Sequence, residues 1–360
     1  MPEFPLKLER RPQASGLMRV LSPLLAVILT LVSGLIIFSA LGKDPVEAFR
    51  LFFLTPFRDA YSIGELFLKA APLMLCATGL AIGFRANVWN IGAEGQFILG
   101  AIGASGVALY FQDVDSRWIL PTMLLGGAAA GAAWGALPAL LKTRFNANEI
   151  LVSLMLVYIA QLLVSWLVFG PWRDPDGFNF PQTAMFHDTA LLPTLIEGTR
   201  LNAGFPLALL VLLAAYVFMH HSYPGFRMKV AGEAAQAARY AGFSANRTIW
   251  TGLLCGGAAA GLAGFSEVAG PMGQLTDKVS LGYGFAAIIV AFVGRLHAVG
   301  ILFASLLMAL LYLGGEQAQQ YMNLPSSISM VFQGLLLFFL LGSDVFIHYR
   351  LRLRAARHGS

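Results

Sequence analysis

Cutting this chain at every Asp, Glu, Lys and Arg leaves ten long stretches, and that spacing constrains the fold more than any single motif. They are 20–42, 70–84, 86–112 (broken by Glu94), 118–141, 150–172, 201–226, 248–266, 279–294, 296–315 and 317–343. Most reach the roughly 20 residues that a helix needs to cross a bilayer. Only 12% of the residues are charged and 57% are hydrophobic, against about 25% charged in ordinary soluble domains. The chain therefore reads as an all-α integral membrane protein with about ten transmembrane helices.

Two stretches are short for a crossing. The run 70–84 is expected to extend back over Glu65 and Lys69, an i,i+4 pair that can neutralise itself on one helix face. The run 279–294 opens with Gly282-Tyr-Gly284 and reads as a half-helix. The first stretch follows Lys7, Arg10, Arg11 and Arg19. Its 23 uncharged residues exceed the about 7–15 of a signal-peptide core, so it reads as a retained first span.

Ten crossings put both termini on one side, and basic residues concentrate on the cytoplasmic side of such proteins. The segments 1–19, 142–148, 222–247 and 344–360, with the turns at Arg85 and Arg295, hold 16 Lys and Arg. The alternate segments 43–61, 112–117, 170–203, 268–281 and 316–326 hold 7. Both termini are thus expected in the cytoplasm, on basic tails 1–19 and 344–360. The net charge of +5 is a topology signal. Arg350, Arg352, Arg354 and Arg357 fit anchoring to anionic lipid heads, not nucleic acid. Cys76 and Cys255 fall inside spans and read as packing residues. No loop is long enough for a separate soluble domain, so 1–360 is expected to form a single transmembrane domain, with 170–203 as a cap over the spans outside the cell.

Inside this apolar background lies Asn90-Ile-Gly-Ala-Glu-Gly-Gln96, a glycine-broken polar patch. A carboxylate at membrane depth costs about 2.5–3.5 kcal/mol on insertion scales and usually faces a cavity or pathway. Unwound backbone at that depth is tolerated only where protein or water covers it. Asn90, Glu94 and Gln96 are therefore candidates for lining or bracing a solute path. Glu94 could equally cap the half-helix that follows, where its charge complements the dipole. A weak echo recurs downstream. Gly79-Leu-Ala-Ile-Gly-Phe84 precedes the break at 90–96, and Gly261-Leu-Ala-Gly-Phe265 precedes Gly270-Pro-Met-Gly-Gln274. Two pseudo-repeats, each with an interrupted helix, would suit a transporter. Gly127, Gly131 and Gly135, like Gly257 and Gly261, recur at every fourth residue and predict close helix packing. Asn148 and Glu149 open a span, where end-capping comes first and an inner gate second.

On the cytoplasmic side, Val230-Ala-Gly-Glu-Ala-Ala-Gln-Ala-Ala-Arg-Tyr-Ala-Gly242 predicts a short helix over 231–242, stopped by Gly242. Ala231, Ala234, Ala235, Ala238 and Ala241 share one face. Helices that lie on membranes present large apolar residues to lipid. An alanine face instead fits a protein groove.

This segment, with Asn246-Arg247 after it, resembles the coupling-helix region of ABC importer permeases of the branched-chain amino acid, simple-sugar and nucleoside group. Asn90-Ile-Gly-Ala-Glu-Gly-Gln96 is similar to the signature of the nucleoside and simple-sugar branch. So are Asn148-Glu-Ile-Leu-Val-Ser-Leu-Met-Leu-Val-Tyr-Ile-Ala160, Gly170-Pro171 and Phe180-Pro-Gln-Thr183. The resemblance runs from about 60 to 340 and departs at Val157, where many relatives carry asparagine. It implies an importer permease, with nucleosides as the first expectation for cargo and simple sugars as the second. It implies as partners two ATP-binding subunits, a second, non-identical permease and an extracytoplasmic solute-binding protein. It also implies ATPase coupling through Gly232, Glu233, Ala234, Ala235, Ala238, Arg239 and Gly242. The chain contains no GxxxxGK[ST] loop, so ATP and Mg are expected on partner subunits and no cofactor on this chain. An ion-gradient transporter would want paired intramembrane carboxylates. An enzyme would want a motif such as HExxH or GxSxG, and neither is present.

Overall fold

The computed structural model describes residues 6–11, 15–325 and 327–353. Arg354 and Arg357 of the C-terminal tail lie outside the described residues.

The described residues are overwhelmingly helical, and each of the ten stretches gives rise to one helix. These are α1 (Gly16–Ala40), α3 (Ala60–Arg85), α4 (Ala93–Tyr110), α5 (Ile119–Phe145), α6 (Glu149–Phe169), α7 (Gly204–His221), α10 (Ala245–Glu267), α11 (Tyr283–Val293), α12 (Ala298–Met322) and α13 (Ile328–His348). Three short helices stand between them: α2 (Pro45–Phe49), α8 (Tyr223–Glu233) and α9 (Ala235–Tyr240). Among the described residues, eight helices are long and apolar enough to cross a membrane. The remaining two of the ten are α4, which carries the polar break in its first turn, and the 11-residue α11.

Two sequence expectations shift. Glu316 was expected to separate two spans, but α12 runs through it to Met322, and residues 323–325 leave the helix instead. The tails are also partly ordered. Leu6–Arg10 (β1) pairs antiparallel with Tyr349–Leu353 (β2), Arg350 meets Glu9 at 3.0 Å, and α13 extends over the first residues of the expected tail.

The chain divides into two compact units, one from Met1–Thr55 with Gly314–Ser360 and one from Pro56–Leu313. In the first, α1 packs along α13. Phe332 lies over Gly34 and joins Phe38 and Phe52 in an aromatic cluster with ring centroids 4.7–6.1 Å apart. In the second, α10 is central and packs on α3, α4 and α5. The fourfold glycine spacing explains this approach. A Cβ on Gly131 would fall 2.3 Å from the Gly257 carbonyl oxygen, and one on Gly257 would fall 2.4 Å from that of Gly131. The backbones touch, as small residues at fourfold spacing allow in lipid.

Within the second unit, several loops gather in two sets. The segment 170–203 is hydrogen-bonded to the connection after α10: Thr183 N–H donates to the Leu275 carbonyl at 3.0 Å, and Leu192 N–H to that of Ala269 at 2.7 Å. Arg200 of the same loop holds Glu65 through two hydrogen bonds, 2.8 and 2.5 Å long. Glu65, for which the sequence suggested Lys69 as partner, takes this long-range partner from the loop. The guanidinium fork matches both carboxylate oxygens, which a lysine one turn away cannot do. This contact also holds the guanidinium above its usual pKa. The other set contains the end of α3, the end of α7, α8 and the turn before α12, which line one cavity together.

Candidate transport site

The polar break is a folded lock within the second unit. After α3 ends at Arg85, residues 86–92 cross without regular structure before α4 begins. Asn90 and Gln96, each 1% exposed, face one another. Asn90 Nδ2–H donates to Gln96 Oε1 at 2.8 Å, Gln96 Nε2–H returns to Asn90 Oδ1 at 3.3 Å, and Gly92 N–H also donates to Asn90 Oδ1 at 3.0 Å. Ser153 of α6 accepts from Ile91 N–H at 3.3 Å. The amides thus satisfy the freed backbone as well as each other, which buried polar groups require. Glycines let the neighbouring helices close in. A Cβ on Gly92 would lie 2.8 Å from Ser153, and one on Gly95 would lie 3.0 Å from the Val157 Cα. Val157, 1% exposed, is therefore wedged against the break.

Glu94 reaches further. It sits in the first turn of α4, 2% exposed, and its Oε2 accepts the Gly284 N–H at 2.7 Å. Ser280, Gly282 and Phe285 surround the same carboxylate, and the Gly282 N–H donates to Ser280 Oγ at 3.3 Å. A Cβ on Gly284 would lie 2.2 Å from the Glu94 nitrogen, so only glycine fits there. The start of α4 and the start of α11 therefore meet at one carboxylate. Both present the positive end of a helix dipole, which a buried anion complements. The capping role foreseen for Glu94 is present, but the capped helix is α11 rather than the helix that follows the residue in sequence. Before α11 the chain breaks a second time. α10 ends in a single π-helical turn, Val268–Met272, and Gly273 and Gly282 adopt positive φ before α11 begins. The chain thus leaves helical geometry at 86–92 and again at 273–282, beside the two glycine-rich breaks noted in the sequence.

Asn148 caps α6, its Oδ1 accepting from Ile150 N–H at 3.0 Å, while Glu149 pairs with Lys142 at 2.9 Å and closes the α5–α6 connection. The segment expected as one helix over 231–242 is two. Ala234 leaves helical geometry at φ −148° and ψ 72°, dividing α8 from α9. Gly242 ends α9 at φ +74°, and Phe243 N–H bonds back to the Ala238 carbonyl at 2.9 Å. Along this step Glu233, Ala234, Ala235, Arg239 and Gly242 are exposed, and Tyr240 is 95% exposed. Two of the expected contacts turn inward. Ala238 is 3% exposed, and Gly232 abuts the Arg85 carbonyl at the end of α3. Alanine spacing alone could not separate the inner face from the outer.

Sequence reasoning passed over Ser153, Ser280, Gly284 and Arg200 as site residues. Gly284 stood in a noted glycine pair, but its partner lies 190 residues away. Among the described residues no His, Cys, Asp and Glu grouping could hold a metal.

Residues 62–341 match the family described as the branched-chain amino acid transport system permease component. The chain is a member of that permease family. The match covers both interrupted helices and the exposed α8–α9 step. The chain is 34% identical to a glucose ABC transporter permease protein of Haloferax volcanii, over 99% of this chain and 96% of the relative. It is 31% identical to a guanosine ABC transporter permease protein of Bacillus subtilis, over 91% and 94% respectively. It is 28% identical to a nucleoside ABC transporter permease protein of Lactococcus lactis, over 89% and 90%. No solved structure matches the chain. This permease is a multi-pass protein of the cell membrane, and its family membership does not favour the ion-gradient reading.

Proposed function

We propose that this permease moves nucleosides inward as the membrane subunit of an ATP-driven importer that depends on an extracytoplasmic solute-binding protein. Two ATP-binding subunits supply the work, and a second, non-identical permease completes the path. The whole chain acts as one permease domain with ten crossings and both termini in the cytoplasm. The observation that carries this reading is the family match over 62–341, which takes in the exposed step as well as the locked break.

The mechanism follows from how these parts connect. A groove on the ATPase grips the step between α8 and α9 at Glu233, Ala234, Ala235 and Arg239. The discontinuity at Ala234 lets α9 pivot. α10 follows α9 directly, and Gly256 of α10 lies against the Asn90 amide. Motion of α10 therefore bears on the Asn90–Gln96 pair, and through α4 on the Glu94 contact with α11. Opening that lock frees amide and carboxylate groups suited to the hydroxyls and base edges of a nucleoside. Closing it pairs them again and releases the cargo.

The relatives named for guanosine and for nucleosides support this cargo. A simple sugar is the second reading, favoured by the relative named for glucose. To decide between them, the complex is isolated from its native membrane and the accompanying receptor is titrated with guanosine, uridine and glucose. Saturable binding of a nucleoside supports the proposal; binding of glucose alone overturns the cargo.

A further inference from the structure

Gln96 of α4 and Trp134 of α5 interlock across a pair of glycines. Gln96 Nε2 lies 3.2 Å from where a Cβ on Gly135 would stand, and Trp134 Nε1 lies 3.2 Å from where one on Gly95 would stand. Each side chain thus rests on the glycine beside the other, close to the Leu156 carbonyl oxygen and the Val157 Cα of α6. The Trp134 indole nitrogen is buried and has no hydrogen-bond partner among the described residues. An indole nitrogen only donates, and the ring fixes its direction, so it cannot swing to a nearby carbonyl as a hydroxyl can. A buried N–H left unpaired costs free energy and calls for a reason.

Packing is the plainest reason, since a large ring covers Gly95. An aromatic ring without the N–H would cover it equally well and strand no donor. What tryptophan adds is that donor, and it stands beside an amide pair that the transport mechanism has to break. In the locked state Asn90 Oδ1 accepts from Gly92 N–H and Gln96 Nε2–H, and Gln96 Oε1 accepts from Asn90 Nδ2–H at 2.8 Å. When the pair parts, the Gln96 amide, 1% exposed, would be stranded in its turn.

We infer that Trp134 is the second partner of Gln96: as the lock opens, Gln96 Oε1 leaves Asn90 Nδ2–H and accepts Trp134 Nε1–H. The locked state then holds paired amides and an unpaired indole. The open state holds a paired indole and a released Asn90. Each state leaves one group unsatisfied, which brings the two close in energy, as an element with two discrete positions requires. Asn90 is thereby the amide left to meet the cargo. Trp134 acts through Gln96 and is a positioning residue. The inference rests on the ATP-driven reading above and does not depend on which cargo is carried.

The test places a fluorinated tryptophan at 134 alone and, in a second sample, at 250 alone. Fluorine NMR spectra are recorded on the permease isolated with its accompanying subunits. Trp250 lies on α10 and donates from Nε1 to the Thr143 hydroxyl at 3.3 Å, so its resonance reports whether ATP moves that helix. With ATP and vanadate both resonances should shift, and Gln96→Leu should abolish the shift at 134 while keeping that at 250. A shift at 250 with none at 134, or one at 134 that survives Gln96→Leu, would overturn the inference and leave the importer reading standing. No shift at either position would overturn both. If Gln96→Leu does not fold, benzothienylalanine at 134 decides, since it keeps the shape of the ring and puts sulfur in place of the N–H. Melting should then match wild type, because the locked state loses no hydrogen bond. ATP turnover should fall about fivefold at unchanged KM for ATP, as the loss of one hydrogen bond from the open state predicts. Wild-type turnover, or a lowered melting temperature, would assign Trp134 to packing and overturn the inference.

Discussion

Glu94 and Gly284 lie 190 residues apart in the chain and meet at 2.7 Å, carboxylate to backbone N–H, where two broken helices begin. The contact joins the two interrupted segments at one buried point. Glu94→Gln keeps an acceptor oxygen but loses the charge, so uptake should fall while the protein still assembles. Hydrogen bonds to charged groups contribute about 1.5–3 kcal/mol, and the melting temperature should drop accordingly. Gly284→Ala should be worse, since its methyl group would overlap the Glu94 backbone. Wild-type melting and uptake in both variants would show that the contact matters to neither fold nor transport.

Asn90 and Gln96 exchange two hydrogen bonds and should behave as a unit. Either one replaced by alanine strands its partner's buried amide. The double replacement should therefore cost less than the sum of the two, with a coupling energy of about 0.5–3 kcal/mol. A double-mutant cycle on thermal stability measures it, and additive losses would count against the pairing.

Arg200 fastens the 170–203 loop to α3 through Glu65, which is 6% exposed. Arg200→Ala should destabilise by about 1.5–3 kcal/mol, because a nearly buried carboxylate loses its charged donors. Lysine should restore only part of this, for want of the guanidinium fork. The contact raises the guanidinium pKa above its usual value. A raised cationic pKa adds stability that is complete below the unfolded value and lost only as pH rises through the folded one. That loss would fall beyond the alkaline range of ordinary measurements, so the difference between wild type and Arg200→Ala should not shrink between neutral pH and pH about 10. Melting curves across that range check it.

Ala235 and Ala238 separate docking from packing. Ala235 is exposed, so Ala235→Trp should leave the permease folded and block recovery of the ATP-binding subunits. Ala238 is 3% exposed, so Ala238→Trp should destabilise the permease itself by about 1–3 kcal/mol through overpacking. Co-purification and melting, measured side by side, give opposite patterns. Normal recovery of ATP-binding subunits with Ala235→Trp would remove the proposed grip.

Much of this was legible in the sequence because lipid leaves few choices. Stretches bounded by charge had to become helices, and all ten did. The fourfold glycines had to mark close approach, and Gly131 meets Gly257. The buried carboxylate had to find donors. Which donors it found was not legible, because the Glu94–Gly284 and Glu65–Arg200 pairings join distant segments and leave no periodic trace. The break at Ala234 was hidden for another reason. Alanine favours helix at each position, so local propensity gives no sign that the chain departs from helical geometry there. The extension of α12 through Glu316 shows that one charge need not end an apolar helix.

ATP-driven uptake is the measurement nearest to the central claim. The chain is reconstituted into proteoliposomes with its co-purified subunits and receptor, and labelled guanosine is supplied on the receptor side. Uptake that requires both enclosed ATP and receptor, and that is abolished by Ala235→Trp, is the predicted result. Uptake that follows a proton or sodium gradient and is indifferent to ATP would contradict the account.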